Sequence, residues 1–505
     1  MVDPPYATGA TPRSTYAYSA RNGWCSRLFA HATSSISGRD AFGYYILNLR
    51  KWVAMSEGSL VNRSNVGAEA CVTTRRTCSA GAMGDKRYQH NHYVPQWYQQ
   101  AFMPRGQSRY HYLDLAPEVM EQNGHRWTRR DIRHLGTDSC FAQDDLYTTR
   151  WGRIENVDIE RFFFGGLDDV GKKAVAAYGD YTIRNETHEA FQTFMRYMSV
   201  QKLRTPKGLA WLRSVTGNGQ QNMTMRMLQY FQNLFCAAWT DSVWQIADAS
   251  QSPTKLIVSD HPVTVYNRDC FPGSDNCRFP NDPDIRLVGT QTIFPLSMEK
   301  VLILTNLAWV RNPYQPANRV GPNDRLMRDT IFNMMDIQTG RMLTEEEVVE
   351  INYIIKRRAY RYIAAAEKEW LYPERHLACD HWRKLGNGYL LMPDPRHVYM
   401  GGTVVAGWND GRSESWGPYG HRPWEKAYED EERDRRESET LYRFKAEWSA
   451  MFGPKYRAVT HRFGKGEQDE EEWEEIYQHA LAKDAMWRKK PGERQRRRRL
   501  LKSGA

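Results

Sequence analysis

The side chains best suited to chemistry fall in four short stretches of this chain. In LIVSDHPVTVYN (residues 256–267) an apolar β-type run ends at Ser259-Asp260-His261-Pro262, and a second β-type run follows. A hydroxyl, a carboxylate and an imidazole side by side are the groups that acid–base and nucleophilic catalysis draw on. A strand end holds such groups on rigid backbone at a cavity edge. The plainer reading is a tight turn, in which Ser and Asp cap their own backbone and Pro fixes φ. In HNHYVPQWYQQAF (90–102), His90 and His92 share a face of an extended chain but lack helical metal-ligand spacing. His92 is a candidate catalytic group or ligand; a pair of His is more often structural or exposed.

The third stretch, SVQKLRTP (199–206), closes an apolar helix. Lys202 and Arg204 there suit the helix dipole, and as a functional pair they would clamp a phosphate or carboxylate, with Arg204 supplying a bidentate fork. The fourth, IENVDIERFF, carries Glu155, Asp158 and Glu160. Read as a helix, it places Glu155 and Asp158 on one face at i and i+3. It is either a solvated acidic helix start or a set of carboxylates gripping a guanidinium or ammonium group.

These groups need elements to position them. From about residue 88 the pattern becomes globular. Residues 153–178 read as helix, break at Gly165-Gly166, then helix. A better helix starts at Asn185 or Thr187 and stops at Thr205-Pro206, as the restriction on residues before proline requires. A long apolar helix is expected over 221–247. LIVSD (256–260), VTVY (263–266), TIFPL (292–296) and VLILT (301–305) read as strands, and the Pro-, Asp- and Cys-rich loop before TIFPL is a lid or a surface excursion. Helix resumes at 325–336. Another helix starts at a Thr344/Glu347 capping box and runs through VVEINYIIKRRAYRYIAAAEKEWLY. Residues 425–450 and 467–488 read as charged, exposed helices. The expected fold is α+β: a helix-rich core over 83–385 with a small central sheet. Residues 1–82 read as mostly disordered, with Met83 a possible internal start, and 386–505 as a Trp-rich, charged extension.

The 505 residues are 41% hydrophobic and 12% aromatic, enough for a substantial core. The formal charge of +10 favours an anionic partner, nucleic acid first, although RQRRRR (494–499) places part of the excess in one tail. None of the eight Cys forms a C-x-x-C pair, so no structural zinc or other metal is expected, and Cys270 and Cys277 read as free thiols in preference to a bridge closing their loop. No apolar signal-peptide core and no run of 18 apolar residues is present, so a soluble cytoplasmic protein is expected. No glycine-rich loop follows a strand, which leaves a Rossmann fingerprint and a P-loop without support; no cofactor is expected.

Taken in order, HNHYVPQWY, the IE helix, QKLRTP and SDHPV followed by FPLSMEKVLIL resemble a widespread group catalogued as a domain of unknown function. Its fungal branch includes the arginine-containing cyclodipeptide synthases. The resemblance covers roughly residues 88–365. It implies a tRNA-dependent enzyme that takes arginine from arginyl-tRNA and a second amino acid from another aminoacyl-tRNA, and closes them into a diketopiperazine. No ATP is needed, because the ester is already activated. Basic charge would track tRNA phosphates, and aromatic rings would stack unpaired acceptor-end bases. His261 or His92 would deprotonate the attacking amine, Asp260 would orient that base or bind the amine, and Ser259 would take the acyl group if a covalent intermediate forms. Glu155, Asp158 and Glu160 would hold the arginine side chain. The serine-nucleophile mechanism of the bacterial synthases is not carried over, because their synthetase-like pattern is missing. Two other classes fit: a nuclease or toxin-like effector using His92, Asp260 and His261 to bind a divalent metal or as acid and base, and a noncatalytic RNA-binding protein.

Overall fold

The computed structural model describes residues 16–19 and 90–460, apart from 183–184, 218, 321–335, 399–403, 408–412, 417–420, 429 and 458. The expectations for 1–82 (beyond 16–19), for a start at Met83, for the helices at 325–335 and 467–488 and for the 494–499 run lie outside the described residues. The chain is α+β. It divides into two units. The smaller contains a three-stranded sheet of Tyr16–Ser19, Val404–Gly407 and Ser413–Trp416. The larger carries every candidate residue.

Two sheets organise the larger unit. A six-stranded sheet runs in the order Thr264–Asn267, Thr290–Pro295, Lys300–Asn306, Ser242–Asp248, Gln338–Met342, Val459–Thr460. All its pairs are antiparallel except Ser242–Asp248 with Gln338–Met342. A four-stranded antiparallel sheet runs Val258–Ser259, Tyr362–Ala365, Tyr110–Asp114, Ile132–Leu135. The two β-type runs flanking Asp260-His261-Pro262 therefore lie in different sheets, and those residues make the crossing.

Three helix expectations are corrected. Residues 153–158 do not start a helix: Ile154–Asn156 pairs with Thr149–Trp151 in a hairpin, and a π-helical turn, Ile159–Phe164, feeds directly into the helix Gly165–Gly179. The apolar run 221–247 is not one helix. It divides into Gln221–Tyr230, Cys236–Thr240 and the strand Ser242–Asp248, whose residues pair with Lys300–Asn306 along their whole length. Cross-strand pairing outweighs a local helical period, and Val243, Trp244 and Ile246 are strand formers. The helix capped by Thr344 and Glu347, with both reciprocal bonds present, ends at Arg358 rather than continuing to Tyr372. Ala359 turns extended, and Tyr362–Ala365 becomes a strand.

The helix Asn185–Arg204 does end before Pro206. Thr205 caps the next helix, Pro206–Thr216, by accepting from the Gly208 amide at 3.1 Å, with proline at the first helical position where no donor is needed. The corner is tight: a β-carbon on Gly208 would stand 2.1 Å from the Lys202 carbonyl. The helix Glu431–Phe452 is not fully exposed. Phe444 and Trp448 are buried and pack with Trp309, Val310 and Met392. Among the described residues no helix is long and apolar enough to cross a membrane.

Candidate functional site

At the crossing between sheets, Asp260 and Ser259 turn inward to the backbone. Asp260 Oδ1 accepts from the Tyr360 amide at 2.8 Å, and Oδ2 accepts from the amides of Arg361 at 2.6 Å and Tyr362 at 2.8 Å. These bonds satisfy the amides released where the Glu345–Arg358 helix stops, so the carboxylate pulls the chain out of helix and into the strand. Burial pushes Asp260 up to about 6 while the three amides oppose the shift. Ser259 Oγ accepts from the His261 amide at 3.2 Å. Asp260 therefore does not orient His261, and Ser259 faces no base. Ser259 bonds within its own turn, whereas Asp260 clamps a segment about 100 residues away in sequence rather than its own backbone.

His261 is oriented by other groups. Its Nδ1 lies 2.8 Å from Thr205 Oγ1, and its Nε2 lies 3.1 Å from both Asp282 Oδ2 and Lys202 Nζ. The Lys202 ammonium also donates to Asp282 Oδ2. Lys207 Nζ donates to Asp282 Oδ1 at 2.5 Å and to the Arg358 carbonyl at 2.9 Å. A carboxylate, an imidazole and a hydroxyl thus form a line, with two lysines on the carboxylate. All five residues derive their position from elements already described, except Asp282, which arrives on the loop between Thr264–Asn267 and Thr290–Pro295. That loop is neither a plain surface excursion nor separate from the site.

Electrostatics fix the protonation pattern. Burial pulls His261 down to about 3, and Lys202 adds to the effect, so the ring is neutral near pH 7. Burial also lowers Lys202, against the pull of Asp282. Burial would raise Asp282, but Lys202, Lys207 and His261 outweigh it and hold its carboxyl well below the usual range. With Asp282 ionised, the network assigns the imidazole proton to Nε2, donating to Asp282, and leaves Nδ1 to accept from Thr205.

A cavity of about 250 Å³ opens beside this cluster, lined by Lys207, Cys277, Phe279, Arg357, Arg358 and Tyr360 among others, and by no Asp or Glu. Arg358 ends its helix, is buried, and donates through Nη2 to the Cys270 carbonyl at 2.5 Å, whereas its Nε has no hydrogen-bond partner. Phe279 and Tyr360 stack at the cavity with ring centroids 4.8 Å apart, and both are about half exposed. Cys277 lies against Cys270, its Sγ 3.8 Å from the Cys270 carbonyl, and both thiols are free.

The remaining expected residues do not converge on this cavity. Arg204 is buried in a bidentate pair with Asp168 at 2.9 and 3.1 Å, with Gln201 on its Nε at 2.7 Å, so it clamps its own chain and not a ligand. Lys202 is likewise spent on Asp282. Glu155 pairs at the surface with Arg150 at 3.1 Å, and Asp158 accepts from Asn156 at 2.9 Å; they share no helix face. Glu160 is drawn inward by the π-helical turn, where burial lifts it to about 7 despite Arg204, and its Oε2 has no hydrogen-bond partner. His92 Nε2 meets the Asp138 carbonyl at 3.2 Å, and His90 Nδ1 meets Asp144 at 2.6 Å. His92, Asp260 and His261 thus bond in three different directions. Among the described residues no group of three or more His, Cys, Asp or Glu is placed to hold a metal ion.

Thr205, Lys207, Asp282 and Arg358 are the residues that sequence reasoning missed. Thr205-Pro206 carried a usable signal, since Thr followed by Pro before an apolar run marks a helix start as well as a stop. Asp282 carried none: it lies 21 residues from His261 in an irregular loop.

No curated protein and no solved structure matches this chain. A family model does match, over residues 90–369, which takes in the four-stranded sheet, all of the six-stranded sheet but its edge strand Val459–Thr460, the His261 cluster and the cavity. The chain belongs to that family, DUF4238, described as a protein of unknown function.

Proposed function

We propose that the protein is a tRNA-dependent aminoacyltransferase of the cyclodipeptide synthase type, joining arginine from arginyl-tRNA to an amino acid from a second aminoacyl-tRNA. The observation that carries this reading is the acid-free cavity with Lys207 and Arg358 on its wall. Fixed cations in a partly enclosed site stabilise an oxyanion and bind phosphate, and both are needed to transfer an acyl group from an RNA ester. In the first step the amine of one aminoacyl-tRNA attacks the ester carbonyl of the other. A peptide bond forms, the ester C–O bond breaks, and the terminal ribose oxygen leaves with a proton. In the second step the remaining free amine attacks the remaining ester, closing the ring and releasing the second tRNA. Lys207, held by Asp282, faces the developing negative charge. Asp282, His261 and Thr205 position Lys207 and Lys202. The site of action is the cytoplasm, where aminoacyl-tRNAs are made and used.

A second reading, RNA binding without chemistry, is favoured by one observation: both ring nitrogens of His261 are engaged inside the protein. Expression in a heterologous host with labelled arginine, followed by mass spectrometry, separates the two. The synthase reading expects an ion containing arginine plus one other amino acid less two waters. An extract without such an ion, from cells holding abundant soluble protein, leaves the binding reading.

A further inference from the structure

Three features at the cavity remain unused by the reaction as stated. Arg357 lines it without a described ion pair, and Arg358 brings a buried Nε with no hydrogen-bond partner. The Phe279–Tyr360 stack presents two half-exposed rings at the same wall. Half-exposed, mutually stacked rings gain area when a further flat group extends the stack. A buried guanidinium nitrogen without a partner costs free energy until an acceptor arrives, and a phosphate oxygen is the strongest acceptor available. Aromatic faces beside two guanidinium groups, with no carboxylate lining the cavity, match a nucleotide: a base for the rings and a phosphate for the arginines.

We propose that this cavity is the subsite for the 3′-terminal nucleotide of the tRNA, with its adenine stacked on Phe279 and Tyr360 and its phosphate on Arg358 and Arg357. The inference rests on the tRNA-dependent reading above and names the part of the tRNA that this wall receives. The ester-bearing ribose then lies between the stacked base and Lys207. Asn281, also on the wall, offers amide groups to the base edge. Stacking alone reads any base, so the terminal adenosine is identified by its being the nucleotide next to the ester.

The test is equilibrium binding of the full-length protein to two deacylated arginine-accepting tRNA transcripts, one with an intact CCA end and one lacking the terminal adenosine. Base–aromatic stacking sets an expected loss of about tenfold on removing that adenosine. Phe279→Ala should weaken the intact tRNA by a similar factor and leave the truncated one unchanged, and Phe279→Tyr should restore the difference. Phe279 is half exposed, so Ala there leaves the core intact; an unchanged melting temperature checks this, and Tyr360→Ala repeats the test from the other ring. Equal binding of both transcripts by wild type, or an equal loss on both in Phe279→Ala, overturns the subsite and leaves the tRNA reading standing. Binding of neither transcript overturns the tRNA reading and the subsite with it.

Discussion

Asp282 Oδ2 stands 3.1 Å from His261 Nε2, on a loop strand-distant from the turn that carries the histidine, while the adjacent Asp260 points away to the backbone of Tyr360–Tyr362. The two aspartates therefore do different jobs. Asp282 is the counterion for Lys202 and Lys207, and Asp260 is a backbone clamp.

Removing Asp282 leaves two buried ammonium groups without a carboxylate. Breaking a buried ion pair from one side costs about 3–5 kcal/mol, and Asp282→Ala should fall in that range by chemical denaturation. Asp282→Asn should recover part of the loss, because the amide oxygen still accepts. A loss under about 1 kcal/mol for Asp282→Ala would mean that water reaches both lysines and that the cluster is open.

Asp260→Ala should act through stability as well. It strips the acceptor from three part-buried amides at once, so a cost of about 2 kcal/mol is expected. Any activity should survive in molecules that remain folded, measured at low temperature with the folded fraction followed by circular dichroism. A fully folded Asp260→Asn protein with no activity would contradict the clamp role and restore a chemical one.

Stability should depend on pH through His261 in a definite direction. Its folded pKa is lowered to about 3 from an ordinary value near 6.5, so the unfolded chain takes up the proton first as pH falls. The folded state thus loses stability between pH 6.5 and about 3. Asp260 and Glu160, raised to about 6 and about 7, shift stability the opposite way as pH falls, so the wild-type curve alone mixes these effects. The comparison with His261→Gln removes them. The stability advantage of wild type over that variant should shrink by about 2 kcal/mol between pH 7.5 and pH 5.0. A constant difference would show that folding does not shift His261 from its ordinary value, and an advantage that grows as pH falls would show that it carries its proton in the folded protein.

Cys277 should report on cavity occupancy. The Cys270 thiol donates to its sulfur and Arg358 lies beside it, which holds the Cys277 thiol below its ordinary value against the effect of burial. Iodoacetamide should label Cys277 at a rate that declines little from pH 8 to pH 7, where an ordinary thiol slows about tenfold. Adenosine monophosphate should slow that labelling, followed peptide by peptide in a mass spectrometer. Labelling unaffected by saturating nucleotide would place the ligand elsewhere.

Much of the fold is legible in the residues themselves. The strands at 256–266 and 292–305, the capping box at Thr344 and the helix end at Thr205 follow from local pattern and chemistry. The strand Ser242–Asp248 and the strand Tyr362–Ala365 are not local. The first needs the facing strand Lys300–Asn306, and the second needs the Asp260 carboxylate 102 residues away from the Tyr362 amide. The site divides in the same way. His261 stands out because it ends an apolar run, but its partners Thr205 and Asp282 come from a helix corner and an irregular loop. Arg204 and Lys202 look like ligand clamps in one dimension because Asp168 and Asp282, which neutralise them, are visible only after folding.

The most direct test of the account is incubation of the purified full-length protein with labelled arginyl-tRNA and a mixture of other aminoacyl-tRNAs, with no ATP added. The account expects label to leave the tRNA and appear in a cyclic dipeptide. It also expects Lys207→Met, which keeps the side chain's bulk and removes its charge, to reduce that rate at least about tenfold by removing a cavity cation. Label that stays on tRNA, or appears as free arginine at the rate seen without protein, would contradict it.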